Sequence, residues 1–369
     1  MSAITGAGEY GAFGGDIAGV LVGDAAHVKQ NLNTLLQQAG DGYVADTFAG
    51  LGSGIATAVS LGPQLANLQT WQNDISAASS NMTVAQNALS QISSIASNFY
   101  AQTANLNGLD PSEVDSVAAS ARSALQQVAA LLDTTDGGDY VFSGQDSSNP
   151  AVPDPDSITS SGFFTQIQTA VQALGTSGAT ATIASTLAIA SSNVAGTSPF
   201  SATLSQPAAV LAGLRTSVAT GQGQSVPTSI LASTNADIAS TGDSTTGSYI
   251  RDILRGLATV GSMSSSQVSD AGFDALVQDT HTSLGDAITA LNADAGVMGD
   301  RQTALQTAQT TLGDQATALQ SQLSDAQDVD MAQTLSRLTQ TQTQLQASYQ
   351  ILSGLTSTSL VKYLSPSSV

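Results

Sequence analysis

Apolar residues recur every seven positions near both ends of this chain. Toward the N-terminal side, Leu68, Ile75, Met82, Leu89 and Ala96 form one column, and Trp71, Ala78, Ala85, Ile92 and Phe99 form a second, three residues on. Toward the C-terminal end, Leu338, Leu345 and Leu352 repeat the spacing, flanked by Leu335, Gln342, Tyr349 and Thr356. A sustained heptad keeps one seam of a helix against a partner helix. Seams at opposite ends of one chain predict that the ends pair with each other or with neighbouring copies. That is the organisation of an assembly part, not of an enzyme built around a pocket.

The composition agrees. Charged residues make up 10% of the 369 residues, well under the roughly 25% usual in soluble proteins. Between Tyr43 and Leu109 the only charges are Asp46 and Asp74, and from Leu338 to the end the only one is Lys362. Buried charge is costly without a partner, whereas Gln, Asn, Ser and Thr can be buried when hydrogen-bonded. The glutamines at 340, 342, 344, 346 and 350 suit a polar helix face packed against other subunits. A net charge of −20 argues against nucleic acid and anionic membrane as partners. No cysteine is present, which removes disulfides and thiolate chemistry. The first 26 residues are Gly-rich and lack a basic region before an apolar run, so export without a cleaved signal peptide is expected.

Along the chain, residues 1–26 read as a loosely ordered arm. A helix is predicted over 26–39, with Leu32, Leu35 and Leu36 on one face. A glycine-weakened segment follows over 44–59, and Pro63 begins or kinks the next helix. Asp110-Pro111-Ser112-Glu113 is a helix start with cap, first-turn proline and a reaching glutamate. Asp133 to Asp139 forms a turn, and Tyr140-Val141-Phe142 a short strand. Residues 145–205 open with prolines and have weak periodicity. Val210–Val218 and Ser225–Ala232 predict a β-hairpin. Helices follow over 248–260, 271–293 and from 296 onward. An acidic break at Asp325, Asp328 and Asp330 precedes a final helix reaching about Tyr363. The fold class is therefore mainly α: a long antiparallel coiled coil or helical bundle formed by the two chain ends, with a small β-hairpin region and an inserted, variable α+β outer domain. The expected parts are 1–45, an arm with an inner helix; 46–144, the N-terminal part of a helical core; 145–205, the variable outer segment; 206–265, the hairpin and a connecting helix; 266–325, the C-terminal part of the core; and 326–369, an inner C-terminal helix.

Enzymatic constellations are weak. His27 and His281 have no partner at zinc-ligand spacing. Gly50-Leu51-Gly52-Ser53-Gly54 lacks the lysine and preceding strand of a phosphate loop. Ser359-Leu360-Val361-Lys362 has Ser-x-x-Lys spacing but no companion motif. Asp133, Asp136 and Asp139 lack the calcium-loop spacing. Paired carboxylates for cutting cell-wall sugars would have to flank a cleft, and the acidic segments here read as loops. No catalytic residue, cofactor or metal is assigned, and the chain is read as a non-enzyme.

Several stretches resemble the flagellin superfamily, and within it the hook-filament junction branch, hook-associated protein 3. Asp328-Val329-Asp330-Met331-Ala332, with Leu335, Leu338, Gln342, Leu345, Gln346, Ala347 and Ser348 after it, resembles the terminal helix of that family. Ser359 to Leu364 and Gly138-Asp139-Tyr140-Val141-Phe142-Ser143-Gly144 are more similar to the junction branch. Gly296 to Leu305 resembles the start of the long C-terminal flagellin helix. The family's Ser-Gly and Asp-Asp-rich stretch after the first helix is replaced here by Gly40-Asp41-Gly42 and Asp46-Thr47-Phe48. The resemblance implies a structural, extracellular flagellar component that self-assembles into a ring or helical array. Its partners would be other hook-associated proteins, flagellin and an export chaperone. It further implies that residues 1–45 and 330–364 form an innermost coil, that 46–135, 210–232 and 270–325 form the next layer, and that 145–205 project outward. The expected assembly-interface residues are Leu68, Ile75, Met82, Leu89, Leu335, Leu338, Leu345, Tyr349, Leu352 and Leu360. A filament subunit is the alternative, and a flagellin-like surface adhesin a more distant one.

Overall fold

Ten helices and two small hairpins follow one another in the computed structural model, which describes residues 12–357 apart from Ala236. The helices are α1 (Ala12–Asp41), α2 (Ile55–Thr103), α3 (Pro111–Leu132), α4 (Gly162–Gln172), α5 (Leu174–Ser177), α6 (Ala179–Ser191), α7 (Ala208–Gly213), α8 (Tyr249–Ser262), α9 (Phe273–Gln327) and α10 (Met331–Ser357). Strands β1 (Thr135–Asp136) and β2 (Asp139–Tyr140) pair antiparallel, as do β3 (Ser217–Gly221) and β4 (Gln224–Pro227). The chain divides into two compact units: Leu68–Asp314, and the two chain ends taken together.

Within the central unit the predicted heptad of α2 is the buried face. Leu68, Ile75, Met82, Leu89 and Ala96 are buried, as are Ala85, Ile92 and Phe99 of the second column. The antiparallel register with α9 is read from neutral side chains. Gln309 Nε2 donates to Ser76 Oγ at 2.9 Å, Gln302 Nε2 to Thr83 Oγ1 at 3.4 Å, and Ser93 Oγ to Asn292 Oδ1 at 3.1 Å. A seven-residue step forward from Ser76 to Thr83 is matched by a seven-residue step back from Gln309 to Gln302. The shared heptad thus carries a ladder of uncharged hydrogen bonds along its flank, which is why so few charges are needed.

The helix start at Asp110 is as predicted, with the reciprocal Asp110–Glu113 capping box and Pro111 in the first turn. Gly137 and Gly138, at φ +63 and +101, make the two-residue turn between β1 and β2, the turn type that suits a right-handed strand twist.

Other expectations need correction. Residues 12–26, expected as a loose arm, are helical in α1; packing against α10 overrides the weak propensity of their glycines. Of the two roles expected for Pro63, it does not begin a helix but lies inside α2, where Leu61 and Leu65 are buried close by and favour continuing the helix through one lost hydrogen bond. Beyond Tyr140, Val141 and Phe142 leave the strand and are buried in a turn. The second hairpin is shorter than 210–232, because residues 208–213 are helical. The two helices expected from 271 and 296 are the single helix α9.

Residues 145–205, expected to mix helix and strand, hold helices α4 to α6 joined by turns, and no strand. Here α4 packs on α6 and α8, and the turn of helix at Pro155–Ser160 packs on α3. The fit is close at Gly162, the first residue of α4. A Cβ there would overlap the Gly196 carbonyl oxygen, which is backbone and cannot step aside. Gly162→Ala is therefore expected to destabilise the protein by about 3 kcal/mol, read as a lower urea midpoint with an unchanged slope.

The acidic break between α9 and α10 has a structural task. Asp330 Oδ1 accepts from the Gln333 N–H at 3.0 Å and caps α10. Val44 N–H donates to the Gln327 carbonyl at 2.7 Å and Val329 N–H to that of Gly42 at 3.0 Å. These bonds clip the end of α1 to the start of α10.

Candidate assembly interface

In the unit formed by the chain ends, α1 and α10 pack against each other, and the seam is thin. On α10 the covered positions are Thr334, Leu338, Thr341, Leu345, Ser348 and Leu352, at alternating steps of four and three. On α1 they are Leu21, Ala25, Val28, Leu32, Leu35, Gln38 and Ala39. Only Ala25 and Thr334 of these are fully buried; the rest are half-buried. The predicted column Leu338, Leu345, Leu352 thus faces α1. Its companion is Thr334, Thr341 and Ser348, not the predicted Leu335, Gln342 and Tyr349. The heptad has two candidate companion columns, and the helix rotates its small hydroxylated residues inward.

That rotation leaves apolar side chains in water. Leu335 is 50% exposed, Tyr349 52% and Ile351 53% on α10; Val20 is 60% and Leu36 49% on α1. Leu36 was expected beside Leu32 and Leu35, but lies outside the seam. Leu68, Ile75, Met82 and Leu89 differ in kind: they are consumed by the core of their own chain. Leu360 lies outside the described residues, as do residues 1–11, Ser359 and Lys362. Covering the exposed half of large side chains such as these stabilises an association by about 0.8–1.5 kcal/mol each. Two helices alone bury too little to hold firmly. From Leu338 to the end of α10 the exposed face is both apolar and uncharged, which suits a further helix, while α1 exposes Asp24 and Lys29.

Among its described residues the central unit buries four charged ones: Arg251, Asp252, Arg255 and Asp294. Every residue of α8 is buried, including Arg251, Asp252 and Arg255. Arg255 pairs with Asp279 at 3.5 Å and donates to the Ser244 hydroxyl and carbonyl. Burial pulls its pKa down, and Asp279 and Asp252 partly offset this. Asp252 accepts from Thr246 N–H and from the hydroxyls of Thr245 and Thr246. Asp294 accepts from Tyr249 Oη at 2.9 Å and from the Asp237 and Ile238 N–H groups. Burial first, then the Asp294 charge, raises the Tyr249 pKa well above its ordinary value, so the hydroxyl stays a donor. These groups tie the loop after β4 to α8 and α9. The sequence reading missed them. The available signal was Arg251 and Arg255, one helical turn apart, in a chain with only 8 Lys and Arg.

The remaining candidates resolve as local structure. Asp133 Oδ1 accepts from the Val152 N–H, and Asp139 Oδ1 from Ser147 Oγ. Among the described residues no group of three His, Cys, Asp or Glu side chains could hold a metal ion. His281 stacks on Tyr100 with ring centres 4.0 Å apart, and its Nδ1 faces the Tyr100 carbonyl and the Thr103 hydroxyl; His27 is exposed. Gly50 to Gly54 lie in two short 3-10 turns around the buried Leu51. No helix among the described residues is long and apolar enough to cross a membrane.

Two family models match the chain. The bacterial flagellin N-terminal helical region matches residues 24–147, and the bacterial flagellin C-terminal helical region matches residues 282–364. No curated protein matches. The two regions occur in the expected order, cover more than half of the chain, and hold the heptad seams of α2, α9 and α10. The chain belongs to the flagellin superfamily and is a structural, self-assembling, extracellular component of the bacterial flagellum.

Proposed function

We propose that this protein forms the hook-filament junction, self-assembling through its terminal helices between other axial proteins of the flagellum. The observation that carries the reading is the stretch from Tyr140 to Gly144, whose order of residues is more similar to the junction branch than to filament flagellins. Three of its residues are placed with care: Val141, Phe142 and Ser143 are buried, and Ser143 Oγ donates to the Asn149 carbonyl at 2.8 Å. At Gly144, φ is +63, and a Cβ would meet the Leu214 carbonyl oxygen at 2.5 Å. In this reading the exposed apolar positions of α1 and α10 meet neighbouring subunits, and residues 145–205 carry the variation between relatives. An export chaperone would hold the terminal helices apart until assembly.

A second reading, the filament subunit, is favoured by one observation: both matching family models are described as flagellin regions. Deleting the gene separates the two. The junction predicts completed hooks with flagellin secreted into the medium and no filaments attached, and on the order of one ring of this chain per flagellum in the parent. Long filaments composed of this chain, thousands of copies each, would overturn it.

A further inference from the structure

Arg251 is 7% exposed, and neither of the two ion pairs among the described residues includes it. Its guanidinium has five N–H donors. Four are used: Nε on the Ser233 carbonyl, two from Nη1 on the Ala190 and Ser192 carbonyls, and one from Nη2 on Asn193 Oδ1. These acceptors are neutral, and Phe200 lies under the guanidinium at 5.0 Å. Burial lowers the arginine pKa to about 10, with only Asp252 opposing it. Asp252 itself is taken up by Thr245 and Thr246.

Arg251 lines a cavity of about 270 Å³. Its exposed lining is Ser191, Asn193, Gln206 and Ala208, and its buried lining includes Ser233 and Ser248. Ser233, Thr234 and Ser248 all belong to its lining, and their hydroxyl oxygens, each buried, have no hydrogen-bond partner. Ser233 is 2% and Ser248 5% exposed. Ser248 is also the N-cap of α8, yet its side chain caps nothing. Leaving a buried hydroxyl unpaired costs about 1–3 kcal/mol, so three around one cavity is an unusual concentration. Arg251 is the only charged residue in the lining, in a chain of net charge −20. At about 30 Å³ per water, the volume holds a small polyatomic ion and several waters.

We propose that this cavity is a binding site for a small oxyanion, a carboxylate or phosphate group held by the free donor of Arg251 and by the hydroxyls of Ser233, Thr234 and Ser248. The site lies where α6, the loop after β4 and the start of α8 meet, so occupation would brace the 145–205 segment against α8. Nothing in it depends on the place of the protein in the flagellum.

The test uses the full chain. Thermal unfolding is followed while sodium phosphate or sodium acetate replaces sodium chloride at constant pH and ionic strength. The expected result is a saturable rise in Tm. The Ser233→Ala/Ser248→Ala double variant should bind at least about tenfold more weakly. That variant removes unpartnered hydroxyls, so without ligand it should melt at or above the parent. Ser283→Ala, which removes another unpartnered hydroxyl outside the cavity, should bind as the parent does. A response to phosphate alone assigns a phosphate group, to acetate alone a carboxylate, and to both an unselective oxyanion site. No saturable rise overturns the proposal. So does an equal rise in parent and double variant, the mark of a general salt effect.

Discussion

A chain carrying Leu335→Glu and Tyr349→Glu is expected to stay folded and to lose assembly. Both side chains are about half exposed in the isolated chain, so monomer stability should change by no more than about 0.5 kcal/mol. In an assembly, each substitution removes the burial of the remaining half of the side chain, roughly 0.8–1.5 kcal/mol, and introduces a carboxylate whose desolvation costs several kcal/mol more. With each 1.4 kcal/mol worth about tenfold, the critical concentration should rise on the order of a thousandfold or more. Sedimentation of seeded assembly reactions measures this, and circular dichroism verifies the fold. Leu345→Glu is the contrast. Leu345 is half-buried in the α1–α10 seam, so the monomer should weaken as well. Assembly of the double variant at the parent's critical concentration would remove α10's outer face from the interface.

The second large effect lies at Asp294. Its carboxylate is fully buried and serves Tyr249 and two backbone N–H groups. Asp294→Ala leaves the buried Tyr249 hydroxyl and two partly buried N–H groups without that acceptor. Leaving a buried donor unsatisfied costs about 1–3 kcal/mol, against a total stability of roughly 5–15 kcal/mol for a domain. Asp294→Asn keeps Oδ1, which receives both N–H bonds, and should lose less than half as much. Urea titrations of the three proteins would show the ranking; equal midpoints for Ala and Asn would mean that the Tyr249 hydroxyl carries the whole effect.

How far these sites could be read in advance depended on periodicity. Ile75, Met82 and Leu89 announce a seam because a seven-residue spacing allows no other regular arrangement, and the Asp110 cap is visible because its chemistry is local. Tyr349 is different. Both Thr334, Thr341, Ser348 and Leu335, Gln342, Tyr349 accompany the leucine column at heptad spacing. Hydropathy favours the second set, but the close approach of α1 selects the first. Helix α8 escaped for the opposite reason. Two arginines and an aspartate in fourteen residues suggest a solvated face, and its burial depends on carbonyls outside the helix, those of residues 190 and 192 about sixty positions away and those of 233 and 244 in the loop before it.

The sequence by itself determined the helical class, the paired ends, the near-absence of charge along them and the family. Each follows from local spacing and side-chain chemistry. The tertiary structure alone decided which apolar residues each seam consumes and which remain for another copy. It also decided that residues 145–205 hold packed helices, and that Arg251 is buried among neutral acceptors. These depend on which surfaces meet, and burial and pairing belong to both partners of a contact.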